Sequence, residues 1–201
     1  LGTPISSLSA WIDYMKEMPP EEQNNEAFIV EVEKDVNRLT LIAERFSKIG
    51  SKPDLKSLPI KETLENAVTY MRSRASKRVV FNLEIEAENL YFNVNESLFN
   101  WVIENLIKNA LDAMEGDGDI TVRSFHSPNN AIIDISDTGK GIPKNDFETV
   151  FQPGYSTKKR GWGLGLSLVR RIVESYHSGE IFIKSSSSEG TTFRIKLPLK
   201  A

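Results

Sequence analysis

Two glycine clusters lie within a stretch of thirty residues: Asp137-Thr138-Gly139-Lys140-Gly141-Ile142-Pro143, and then Gly161-Trp162-Gly163-Leu164-Gly165-Leu166. Glycine tolerates positive φ and lets backbone approach a neighbour closely, so Gly139 and Gly141 are expected where a flat ring must sit against the chain. The second cluster opens the apolar run Leu166 to Tyr176, which reads as a helix. Gly161, Gly163 and Gly165 can therefore turn amide groups toward phosphates at a helix start. Turns between strands use the same residue, so the glycines gain their meaning from order and spacing.

Upstream, the segment Glu96 to Met114 carries Ile103, Leu106, Ile107, Ala110, Leu111 and Met114 at helical spacing, a stripe that faces a core. Its other side bears Asn105, Lys108, Asn109 and Asp112 at i, i+3, i+4 and i+7, so two amides, a cation and a carboxylate share one face. A solvated face would explain the charges. Asparagine is a poor helix former, however, and two of them one turn apart point to a ligand.

The chain divides near Gly50. Before it, Leu1, Ile5, Leu8, Ile12 and Met15 form one heptad-like seam, and Ile29, Val32, Val36, Leu39, Ala43 and Phe46 form another. Met18-Pro19-Pro20 interrupts them, which predicts an antiparallel helical hairpin over residues 1–50. Such a hairpin cannot bury both seams alone; pairing with a second copy would complete a four-helix bundle, and packing against the chain's own second half is the alternative. Residues 51–57, with Ser51-Lys52-Pro53-Asp54, read as a linker. Residues 58–201 mix helices near Lys61 to Ser73 and Glu96 to Met114 with strands at Val79 to Ile85, Ile120 to Phe125, Ala131 to Ile135, Glu180 to Lys184 and Thr191 to Leu197. That pattern predicts a mixed sheet covered on one face by helices, with Ser185 to Ser188 as a hairpin loop.

Composition sets bounds on function. A length of 201 residues with 39% hydrophobic content supports one large or two small cores. The formal charge of −3, from 25 basic and 28 acidic residues, leaves no broad electrostatic footprint for nucleic acid. The absence of cysteine excludes disulfides and thiolate metal sites and is compatible with the cytoplasm. No apolar run approaches the roughly 20 residues of a membrane span. The chain opens on Leu1 rather than methionine, which is read as the start of a fragment of a longer protein.

On these residues the chain resembles the core of a bacterial two-component sensor histidine kinase, whose ATP domain shares its superfamily with gyrase, heat-shock chaperone and mismatch-repair ATPases. Glu104-Asn105-Leu106-Ile107-Lys108-Asn109-Ala110 resembles the family's N box, and Asp137 to Pro143 its first glycine box. Phe151 to Lys158 resembles the F box, Gly161 to Leu166 the second glycine box, and Gly190-Thr191-Thr192-Phe193 the final strand motif. The implied fold is α+β: a hairpin that is half of a dimeric four-helix bundle, then an α/β sandwich of the histidine-kinase ATPase type over 58–201.

The resemblance implies ATP and Mg²⁺ as cofactors. Asp137, following an apolar strand where a carboxylate is costly to bury unpaired, would accept from the adenine amine, with Gly139, Gly141, Ile142 and Thr191 around the ring. Asn109 would give an oxygen to Mg²⁺, a cation that keeps much of its shell as water and phosphate, with Asn105 and Lys108 beside it. Tyr155, Ser156, Thr157, Lys158 and Arg160 resemble a lid over the triphosphate, leading into Gly161, Gly163, Leu164, Gly165 and Leu166. Trp162 reads as a lid packing residue, with base stacking as the alternative, and Lys159 as a solvated charge. In the hydrolytic relatives a glutamate four residues before the metal asparagine activates water. Asn105 occupies that position and cannot act as a base, while Glu104 points about 100° around the helix.

Family members phosphorylate a histidine four and five residues before a Thr-Pro pair. Thr3-Pro4 matches the pair, which places the acceptor two residues before Leu1. His126 and His177 lack that context and read as bystanders. Thr3 resembles the residue that positions water when a regulator is dephosphorylated. The partners implied are a second copy of the chain and a response-regulator receiver domain, with no nucleic acid, and the parent protein is expected to be anchored in the bacterial inner membrane with this part in the cytoplasm. A serine/threonine kinase of the same superfamily and a degenerate nucleotide-binding module are the competing readings. Thr3-Pro4 argues against the first and five intact motifs against the second.

Overall fold

The computed structural model describes residues 12–14, 30, 32–33, 36, 53–86, 90–158 and 163–199. The chain divides into two compact units, Leu1–Lys52 and Pro53–Ala201. In the first, residues 12–14, 30, 32, 33 and 36 are helical, and the seam positions Ile12 and Val36 are 55% and 45% exposed. The remainder of the predicted hairpin, including Met18-Pro19-Pro20 and Thr3, lies outside the described residues.

The second unit runs β1 (Lys56–Pro59), α1 (Ile60–Arg72), β2 (Val79–Ile85), β3 (Tyr91–Val94), α2 (Glu96–Ala113), β4 (Gly118–His126), β5 (Asn130–Asp137), α3 (Gly165–Arg171), β6 (Glu180–Ser187) and β7 (Gly190–Pro198). Five strands form one sheet in the order β2-β4-β5-β7-β6, parallel between β2 and β4 and antiparallel elsewhere. Strand alternation divides its two faces. Ile120 and Val122, Ala131, Ile133 and Ile135, Ile181 and Ile183, and Phe193, Ile195 and Leu197 point to one buried core. Leu64 and Val68 of α1, Leu106 and Ile107 of α2 and Val169 of α3 close that core from the helical side. Each such large side chain, fully buried, contributes about 1.5–3 kcal/mol. The opposite face carries Glu84, Arg123, Asp134, Lys184 and Arg194, joined in ion pairs.

The element that positions the site is α2. It starts where Asn95 accepts the Leu98 N–H at 3.2 Å, a side-chain cap on the first turn. Its apolar stripe, from Leu98 to Ala110, sits on the sheet as the spacing predicts. Phe99 also meets Phe92 of β3 edge-on, with ring centroids 4.9 Å apart, which ties α2 to a small second sheet of β1 and β3.

Three features depart from the sequence reading. Lys56 and Ser57, read as the end of a linker, begin β1 and pair with Val94 and Asn93. Ser185 to Ser187, read as loop, continue β6, so the turn is only Ser188-Glu189. The helix expected to end at Tyr176 closes in a π turn, Ile172–Tyr176, whose Ile172 carbonyl lies 2.8 Å from His177 Nδ1 five residues on.

Candidate functional site

The carboxyl end of β5 brings Asp137 to the helical side of the sheet at 8% exposure. The backbone N–H of Gly139 donates to Asp137 Oδ1 at 2.8 Å, and the Thr191 N–H also favours the ionised form. Burial nevertheless dominates and pushes the Asp137 carboxyl above the usual carboxylate range. Asp137 is thus a buried acceptor that two backbone donors compensate only in part. Thr191 lies directly across from it on β7 and is itself buried.

The first glycine box wraps this end of the sheet. Gly141 has φ +76°, and a β-carbon there would run into the Ser187 carbonyl, so the expected backbone freedom and close approach are both used. Gly139 differs from the expectation. Its φ is not positive, and its requirement is proximity: a β-carbon would sit 2.7 Å from the Ala113 β-carbon. Lys140 N–H donates to the Ala113 carbonyl at 3.3 Å, so the loop caps the carboxyl end of α2. Ala113 is one helical turn beyond Asn109. The loop after Asp137 and the polar face of α2 are therefore brought together, as their motif order predicts.

On that face, Lys158 Nζ lies 3.1 Å from Asn109 Oδ1 and 2.5 Å from Asp112 Oδ2. All three belong to one polar cluster, and the Lys158 and Asp112 side chains are both more than a third exposed. Asn105 Nδ2 donates to the Trp101 carbonyl at 2.9 Å, which turns Oδ1 the other way. Gly165, the first residue of α3, abuts it: a β-carbon would meet Asn105 Oδ1 at 3.3 Å. Lys108 stands exposed on the same helix. Gly154 N–H donates to the Gly163 carbonyl at 3.0 Å, which joins the two ends of the segment containing Tyr155, Ser156, Thr157 and Lys158. Ser156 Oγ accepts the Lys158 N–H at 3.1 Å. The Tyr155 phenol is pushed up by desolvation and then by the Asp146 carboxylate, so its hydroxyl faces the turn Lys144–Asp146. Leu164 precedes α3 and accepts from Ser167 Oγ, and Leu166 and Ile142 pack against the core. Arg160, Gly161, Trp162 and Lys159 lie outside the described residues.

Among the described residues no three carboxylate, imidazole or thiolate groups cluster as a metal site. The oxygens this face offers a cation are the Asn109 amide and the Asp112 carboxylate, both held by Lys158. His177 is buried and its imidazole is held below its usual range, chiefly by burial. Its Nε2 accepts the Asn95 N–H at 3.0 Å and its Nδ1 faces the Ile172 carbonyl, so both nitrogens are committed. That is a structural histidine, in line with the bystander reading.

Ser186 escaped the sequence reading. Its Oγ accepts the Ile142 N–H at 2.7 Å and lies 2.9 Å from Thr191 Oγ1, tying the glycine box to the final strand motif. A run of four serines carries no signal that singles one out.

The profile of the family described as histidine kinase-, DNA gyrase B-, and HSP90-like ATPase matches residues 94–201. Sporulation kinase C of Bacillus subtilis is 29% identical over 203 residues, covering 98% of this chain and 46% of that protein. The chain thus spans about half the length of that curated relative. The solved catalytic domain of the histidine kinase ThkA is 26% identical with a TM-score of 0.67, covering 72% of this chain and 95% of that one. ThkA in complex with the response regulator protein TrrA shares the fold at 22% identity and a TM-score of 0.70, over 98% of this chain and 58% of that one. With the profile spanning more than half of the chain and including the strand that faces Asp137, the chain belongs to the histidine kinase-, DNA gyrase B- and HSP90-like ATPase family.

Proposed function

We propose that this chain is the core of a protein-histidine kinase that binds Mg²⁺-ATP between the Asp137 end of the sheet and the polar face of α2. The observation that carries the reading is Asp137 itself: a buried carboxylate offset only by backbone N–H groups, facing Thr191, beside a glycine loop too tight for side chains. An exocyclic amine is the donor that such an acceptor lacks. Asn109 would hold Mg²⁺ through Oδ1, and Lys158 would exchange its contacts with Asn109 and Asp112 for phosphate oxygens. The cation supplies charge neutralisation on the phosphates during transfer. Lys158 adds positive charge at the same end, and Ser156, Thr157 and Arg160 belong to the lid that excludes water. Asn105 has no basic lone pair and is tied to the Trp101 carbonyl, so it does not activate water. The site therefore holds the phosphate chain for an imidazole that attacks from another segment.

That imidazole is the histidine expected four residues before Thr3, with Thr3 itself serving regulator dephosphorylation. Residues 1–50 form the dimerising hairpin in this reading, supported by the exposed seam positions Ile12 and Val36. The phosphate then passes to an aspartate of a response regulator, the class of partner named for the related ThkA complex. Anchoring of the parent in the bacterial inner membrane rests on the resemblance to sensor kinases. No helix among the described residues is long and apolar enough to cross a membrane.

Transfer of label from γ-labelled ATP tests the proposal. The chain from Leu1 is expected to bind ATP and take up no acid-labile, base-stable phosphate, whereas the chain carrying its native preceding residues takes it up. Label on His126 or His177 of the shorter chain overturns the acceptor assignment. Failure of the longer chain to label despite ATP binding favours a degenerate nucleotide-binding module.

A further inference from the structure

The strand that carries Ser186 changes phase just before it. Ile183 pairs with Phe193 and Ser185 with Thr192, so two steps along β6 match one along β7. This β-bulge at Lys184 has a directional consequence, because side chains alternate along a regular strand. Ile181 and Ile183 point to the core, and Lys184 points to the opposite face, where it pairs with Asp134 at 3.0 Å. Without the bulge, Ser186 would follow Lys184 to that outer face. With it, Ser186 pairs with Thr191, and Thr191 pairs with Asp137. Three polar side chains from β6, β7 and β5 then form one row across the end of the sheet.

Hydrogen bonding links that row, and either hydroxyl of the Ser186–Thr191 contact can be its donor. Ser186 Oγ accepts from Ile142 N–H at 2.7 Å, which occupies one lone pair. Its own proton has two acceptors in reach, Thr191 Oγ1 at 2.9 Å and the Gly190 carbonyl at 3.3 Å. With Ser186 as donor the 2.9 Å contact runs toward Thr191, and with Thr191 as donor the Ser186 proton goes to the Gly190 carbonyl instead. When Ser186 donates to Thr191, the Thr191 proton is released to donate elsewhere, while Asp137 in the ionised state only accepts. One donor and one acceptor side by side match the edge of adenine, an amine next to a ring acceptor. Guanine presents an acceptor in place of that amine, beside a ring N–H at N1 or a second acceptor at N7.

Resting on the ATP-site reading above, we propose that Ser186 is a positioning residue that orients the Thr191 hydroxyl, and thereby sets adenine over guanine specificity. It also holds the Ile142 end of the glycine loop against β6, so the ring slot and the base-reading hydroxyl are set by one side chain.

Titration calorimetry of the full chain with Mg²⁺-ATP and Mg²⁺-GTP tests this in Ser186→Ala, Ser186→Thr, Thr191→Val and the double variant Ser186→Ala/Thr191→Val. One oriented hydroxyl bond is worth about 1 kcal/mol, so Ser186→Ala is expected to lower ATP affinity about five- to tenfold and GTP affinity less than about twofold. Ser186→Thr keeps the hydroxyl and restores the preference. In the Thr191→Val background, Ser186→Ala is expected to change the ATP/GTP ratio no further, the signature of a residue acting through another. An unchanged ratio in Ser186→Ala, or equal weakening of both nucleotides, overturns the Ser186 assignment while leaving the site standing. A wild-type chain that binds neither nucleotide overturns the site and the Ser186 assignment together.

Discussion

Asp134 and Asp137 lie three residues apart on β5, one on each face of the sheet, and both are almost fully buried. On the outer face, Arg194 grips Asp134 with two bonds of 2.7 Å and Lys184 adds a third at 3.0 Å. Burial alone would raise the Asp134 carboxyl, but Arg194 and Lys184 outweigh it and hold it below the usual range. On the inner face, Asp137 has only backbone N–H partners, and burial wins. One carboxylate is satisfied within the fold, and the other keeps acceptor capacity that the fold leaves uncompensated. That unpaired buried carboxylate is what the proposed adenine contact would complete.

Breaking the paired side gives the largest effect on stability. Asp134→Ala strands two cations over a sheet and is expected to cost about 3 kcal/mol in urea unfolding, the low end for a buried pair because Lys184 reaches solvent. ATP affinity should stay within about twofold, since the outer face does not touch the site. A variant as stable as wild type would show that the Arg194 fork contributes nothing net.

Asn109→Ala removes the amide oxygen assigned to Mg²⁺ and is expected to weaken Mg²⁺-ATP binding about tenfold, the worth of one hydrogen bond to a charged group. Stability should be unaltered, because its contact with Lys158 is at the exposed cluster. Calorimetry with and without Mg²⁺ checks it: the loss should vanish when the metal is omitted.

The two aspartates also predict opposite pH behaviour. Asp134 is lowered in the fold, so its stabilisation is fully present above the ordinary carboxylate value of 3.8 and disappears as pH falls through its lower folded value. Asp137 is raised, so the folded state holds its proton more tightly. Stability then falls as pH rises from 3.8 through the raised value, and the ionised group is a net cost at neutrality. Melting temperatures across this range should lose the acid-side decline in Asp134→Asn and the decline above 3.8 in Asp137→Asn. Parallel profiles for the two variants would remove the distinction between the faces.

The smallest effect belongs to Lys158→Ala. Its ion pair with Asp112 is exposed on both sides, so free-chain stability should change by less than about 0.5 kcal/mol. Its ATP affinity should nevertheless fall, because the lid loses a cation.

Much of this arrangement was legible in the sequence, for identifiable reasons. The stripe from Leu98 to Ala110 and the amides opposite it share one helix, so local periodicity alone separates them. Gly141 announces its tight turn by its residue type, and Asp137 stands out as a charge after an apolar strand. Other features depend on partners far away in the chain. β1 and β3 are four residues each, too short to show a period, and form by pairing with each other and, at Phe92, with Leu199. The bulge at Lys184 exists in the register between β6 and β7, so four adjacent serines give no hint that Ser186 turns inward. The need for glycine at 139 comes from its approach to Ala113, a tertiary contact.

The central claim is that Asp137 is the base-reading acceptor, and calorimetric ATP titration of wild type and Asp137→Asn tests it most directly. Replacing the carboxylate oxygen that faces an amine with an amide is expected to weaken binding about 30- to 100-fold, roughly the 2–3 kcal/mol of a buried charge-assisted hydrogen bond. The variant should unfold at least as late in urea as wild type at neutral pH, because the uncompensated charge is gone. Unchanged ATP affinity in a folded Asp137→Asn chain would contradict the account.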